Sequence, residues 1–102
     1  MLEMAEMDFD FRDQIQTTDW YPLEIHYKNN ALFMVSTKLN LAEVAKAVAN
    51  DEKTSIEKWI EEGLIFRPPE DFVEAQRKDQ YKVFANFIIV APYVFIQSIK
   101  SE

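Results

Sequence analysis

A long stretch without a charged side chain runs from Val83 to Ile99: Val-Phe-Ala-Asn-Phe-Ile-Ile-Val-Ala-Pro-Tyr-Val-Phe-Ile-Gln-Ser-Ile. So much apolar surface is costly to leave in water, and the rest of the chain has to cover it. Its β-branched and aromatic residues fit a pleated, buried backbone better than a helix. Phe87-Ile88-Ile89-Val90 are apolar consecutively and not alternately, which predicts a strand dry on both faces. Pro92 cannot donate to a β-ladder, so it marks a bulge, a bend or a break between two short strands.

A chain of 102 residues is long enough for one real core. We expect a flexible segment over 1–8 and a single compact domain over 9–102. Apolar residues at 48% and aromatics at 14% fit a packed globule and not a disordered chain. With no cysteine, disulfides, thiolate metal sites and thiol nucleophiles are excluded. Met1-Leu2-Glu3 opens with an acid where a secretory signal would carry Lys or Arg. The Val83–Ile99 run falls short of the ~20 residues a bilayer span needs, and Asn86 and Pro92 interrupt it. A soluble cytoplasmic protein without a membrane partner is the expectation. The net charge of −7 is concentrated early, with seven acids against two bases in residues 1–30. Such an entry segment repels phosphate backbones and anionic lipid, and it also keeps an apolar chain in solution.

Met7, Phe11 and Ile15 lie on one helical stripe, predicting a helix that ends near Thr17-Thr18. Asp19 is placed to cap a second helix, with Pro22 in its first turn and Trp20, Leu23 and Tyr27 on one face. Asn29-Asn30 is a turn signal. Ala31–Ser36 reads as a strand covered on both sides. Asn40 with Glu43 makes a capping-box-like pair, Leu39 can staple onto Val44, and Leu41, Val44, Ala45 and Val48 form a buried stripe. Asp51 is a plausible cap for a following helix through Glu62, with Ile56, Trp59 and Ile60 inward. Gly63, the sole glycine, sits where a helix stops on a left-handed residue, and Leu64 can fold back on Trp59. Ile65–Arg67 makes a short strand, Pro68-Pro69 ends it, and a helix from Pro69 to about Asp79 buries Phe72 and Val73. The expected fold is α+β: a small, mostly antiparallel sheet of about three strands packed with four to five helices.

The Leu39–Pro68 stretch, with Glu43-Val44-Ala45 and the exit Trp59-Ile60-Glu61-Glu62-Gly63-Leu64, resembles a helix-turn-helix followed by a wing. The wider pattern is similar to the bacterial family filed as domain of unknown function 2288. It is carried by Trp20, Leu23 and His26, the Leu32–Val35 strand, the helix pair, and the closing Pro92-Tyr93-Val94-Phe95-Ile96-Gln97. The resemblance spans roughly residues 10–97. It departs at Ile25, where Pro is expected, and at Asn29-Asn30, where an Arg-Asp pair is common. It implies no activity.

His26 is the lone histidine, which removes multi-histidine metal sites and His–His acid–base pairs; fixing a helix–strand corner is its simplest role. Glu57-Glu61 and Glu70-Glu74 lie one turn apart but are interleaved with lysines, as solvated helix faces are. One glycine cannot make a phosphate-cradling loop. We therefore expect no catalytic residue, no metal and no cofactor. The expected function is a non-enzymatic protein-interaction or regulatory module presenting Trp20, His26, Arg67 and Tyr93 to a protein partner. The surplus aromatics could also line a homodimer seam. One alternative is a winged DNA-binding regulator reading through Lys53, Thr54, Lys58 and Arg67, which the acids between Lys53 and Glu62 disfavour. The other is a small-ligand binder or enzyme with a pocket near His26.

Overall fold

The structure is a computed structural model that describes residues 10–99. The stretch expected to be flexible, 1–8, and Met7 of the first expected helix lie outside the described residues. The strands are β1 (Gln16–Thr18), β2 (Leu32–Val35), β3 (Ile65–Phe66), β4 (Ala85–Val90) and β5 (Tyr93–Ser98). The α-helices are α1 (Glu24–Lys28), α2 (Leu41–Ala49), α3 (Lys53–Glu61) and α4 (Glu70–Arg77). Short 3₁₀ turns occupy Phe11–Gln14 and Tyr21–Leu23.

The strands form one five-stranded sheet in the order β1-β4-β5-β2-β3. β5 pairs parallel with β2, and the other three pairings are antiparallel. The class is α+β as expected, but the sheet is mixed and has five strands, not about three. Two causes account for the difference. Pro92 divides the apolar stretch into two strands: Val90 pairs with Tyr93 across the Ala91-Pro92 turn, whose peptide bond is cis. Gln16–Thr18, expected in a helix, adds an edge strand along Ala85–Phe87. Asp10 closes the preceding turn by accepting from the Arg12 amide at 2.9 Å, and the chain leaves it extended at Ile15. Phe11 and Ile15 still pack inward, but from a turn and not a helix.

Alternation along the strands builds two apolar layers. On one face Leu32, Met34, Ala85, Val94 and Ile96 pack with Trp20, Leu23, Tyr27, Phe72 and Val73, so α1 and α4 cover it. On the other, Val35, Ile65, Ile88 and Phe95 pack with Leu41, Val44, Ala45, Val48 and Trp59 of α2 and α3. Val94-Phe95-Ile96 are buried on both faces because β5 is the middle strand. Ile89 departs from the expectation of dryness: β1 ends opposite Phe87, and Ile89 is 58% exposed beyond it.

Several local readings hold. The Asn40 Oδ1 accepts from the amides of Ala42 at 2.9 Å and Glu43 at 3.2 Å, capping α2. Gly63 has φ +75°, the Leu64 amide donates to the Trp59 carbonyl and the Gly63 amide to that of Ile60, the full Schellman pattern. Two caps are corrected. Trp20, not Asp19, stands at the start of the Tyr21–Leu23 turn, and Glu52, not Asp51, precedes α3; neither makes a side-chain cap. Asp51 instead takes the left-handed position after α2, with φ +56°.

After α3 the chain pairs β3 with β2 and then enters α4, where a wing would require a hairpin.

Candidate functional site

Where α2 hands over to α3, the helix pair leaves part of the sheet uncovered. Phe33, Ile65, Tyr93 and Phe95 from the sheet, Val48 and Asp51 from the end of α2, and Ile56 and Ile60 from α3 line a recess of about 320 Å³. The lining is apolar apart from Asp51 and the Tyr93 hydroxyl. Its floor is an aromatic cluster: Phe33 lies 5.8 Å from Phe95, nearly stacked, and 5.8 Å from Tyr93, edge to face. Ile60 is 52% and Tyr93 41% exposed, so the mouth is open. The expectation that Ile60 faces inward is therefore corrected: the i, i+4 pair Ile56/Ile60 points across the recess and not into packed core.

The expected contact residues do not converge. Trp20 is wholly buried and donates from Nε1 to Glu24 at 2.5 Å, so it belongs to the core beneath α1 and not to an outer surface. His26 is half-buried, its carbonyl accepts from the Ala31 amide, and it does not line the recess. Arg67 donates from Nη2 to the Asn30 Oδ1 at 2.7 Å, tying the end of β3 to the turn before β2. Tyr93 is the one of the four at the recess. Lys53, Thr54 and Lys58 are exposed on α3 beside Glu52, Glu57 and Glu61.

Sequence reasoning missed a charged cluster on the opposite face. Arg77 donates from Nε to Glu24 at 3.0 Å and from Nη2 at 2.5 Å, and from Nη1 to Glu74 at 2.8 Å, with its guanidinium 5.7 Å from the Tyr27 ring centre. The Arg77 guanidinium, helped by the Trp20 indole, holds the Glu24 carboxyl down at about 2, while Glu24 raises the Arg77 pKa. With both Glu24 carboxylate oxygens committed to partners, this cluster clamps α1 to α4. Trp20 and Glu24 at i, i+4 were a local signal; Arg77, far along the chain, had none. Gln97 was also missed: its amide donates to the carbonyls of Ser36 at 2.9 Å and Leu39 at 2.7 Å, fixing the loop that enters α2.

Among the described residues no group of three or more His, Cys, Asp or Glu side chains is placed to hold a metal ion. No helix among them is long and apolar enough to cross a membrane.

The fold and the open recess define a small α+β protein with a five-stranded mixed sheet and a helix pair over one end. The family model described as protein of unknown function (DUF2288) matches residues 6–98, and the chain belongs to that family. It is also similar to the NMR solution structure of PA1075 from Pseudomonas aeruginosa, at 25% identity and a TM-score of 0.75 over 90% of this chain and 83% of that one. No curated protein matches it.

Proposed function

We propose that this protein is a non-enzymatic interaction module whose contact site is the recess between α3 and the start of β5. The observation that carries this reading is the half-exposed pair Ile60 and Tyr93 over an aromatic floor. Folding alone would favour closing such a gap, since each apolar side chain left in water forgoes about 1.5–3 kcal/mol. The ionisable groups at the recess are Asp51 and Tyr93, too few for paired acid–base work, which supports binding over chemistry. Arg67 then serves to hold the scaffold, through its bond to Asn30.

The test is capture from native lysate with wild type and Ile60→Glu in parallel. Ile60 is half exposed on a helix, so the variant should keep its fold, which its circular-dichroism spectrum checks. A protein retained by wild type and lost on Ile60→Glu supports the reading; identical captures from both contradict it.

The α2–α3 pair keeps a second reading, duplex binding through Lys53, Thr54 and Lys58, in play. Glu52, Glu57 and Glu61 beside them oppose phosphates. A shift of mixed-sequence duplex at low salt, abolished by Lys53→Glu/Lys58→Glu, would favour it over the first.

A further inference from the structure

Asp51 holds its place at the recess against three local preferences. It occupies the left-handed position after α2, where glycine or asparagine is the usual choice, at φ +56°. Its carboxylate stands at the negative end of that helix. It also borders an apolar surface. Among the described residues, no hydrogen bond or ion pair holds that carboxylate. Among the described residues, Arg67 donates to Asn30, and Lys53, two residues on from Asp51, forms no ion pair with it. A cation brought in from outside would meet the charge of Asp51 at the edge of the apolar recess.

We propose that the occupant of the recess is a segment of a partner protein in which one bulky apolar side chain fills the cavity and an adjacent lysine or arginine reaches Asp51. The proposal rests on the reading of the recess as the contact site. The apolar side chain would displace water from Phe33, Ile56, Ile60 and Phe95. The cation would form a charge-assisted bond at the rim and reject acidic competitors. The recess thereby sets affinity and Asp51 sets selectivity.

The test is selection of displayed random peptides on the immobilised wild-type protein, with counter-selection on Ile60→Glu. The expected survivors carry an aromatic or branched apolar anchor with Lys or Arg within about one helical turn. They lose about tenfold in affinity on Asp51→Asn, while the folded spectrum is unchanged. Survivors that depend on Ile60 but are neutral or acidic, or bind Asp51→Asn equally well, overturn the cationic partner and leave the recess reading standing. If no survivor distinguishes wild type from Ile60→Glu and the wild type stays monomeric in sedimentation, both readings fall. An Ile60-dependent dimer in sedimentation, with no peptide selected, assigns the recess to a second copy and overturns the proposal.

Discussion

Gly63 is the residue whose backbone most narrowly limits substitution. A Cβ there meets nothing within 4 Å, so the cost of Gly63→Ala is that of the left-handed conformation alone. We expect about 1 kcal/mol of destabilisation in urea unfolding. Asp51 gives the opposite sign. Asparagine tolerates the same φ and removes the anion from the helix end, so Asp51→Asn should stabilise by about 0.5 kcal/mol even as it weakens partner selection. Glu24 supplies the pH dependence. Its carboxyl falls from the ordinary 4.5 to about 2 in the folded protein, so it stabilises fully above 4.5 and loses that contribution as pH falls toward 2. Glu24→Gln should cost about 1 kcal/mol at pH 7, after allowing for remaining water access, with the gap to wild type closing near pH 2 in parallel melts.

The elements that could be read from the sequence were those whose signals are local. The Asn40 cap lies two and three residues from the amides it serves, and Gly63 lies next to the turn it closes. Asn40→Ala should accordingly cost about 1 kcal/mol, measured by thermal unfolding. The Leu41, Val44, Ala45, Val48 stripe was legible because helical spacing is set by the backbone. The β1 strand was not, since Gln16–Thr18 become a strand only by lying beside Ala85–Phe87. The recess was illegible for the same reason: Phe33, Ile60 and Phe95 come from three elements, and helical spacing alone assigns Ile60 to the core. Pro92 marked a break, but only pairing shows that the break is a hairpin. Because β5 is the middle strand and its Val94 amide donates to Ala31, hydrogen exchange should find Val94–Ile96 the most protected amides of the sheet. Faster exchange there than in β1 would contradict the strand order.

At the scale of the molecule, the two faces of the sheet have different fates. One is sealed, with Trp20 at its centre and the Glu24–Arg77 clamp closing α1 against α4. The other is covered by α2 and α3 except where their junction leaves the aromatic floor open. That asymmetry gives the protein a direction: a clamped back and a front that, in the reading proposed above, receives an apolar group. The direct measurement is chemical-shift mapping by NMR as the captured partner, or a peptide selected on the protein, is titrated in. The account predicts shifts at Phe33, Asp51, Ile60, Tyr93 and Phe95. Shifts gathered instead on the opposite face, around the exposed Tyr21 and Tyr81, with the recess signals unmoved, would contradict it.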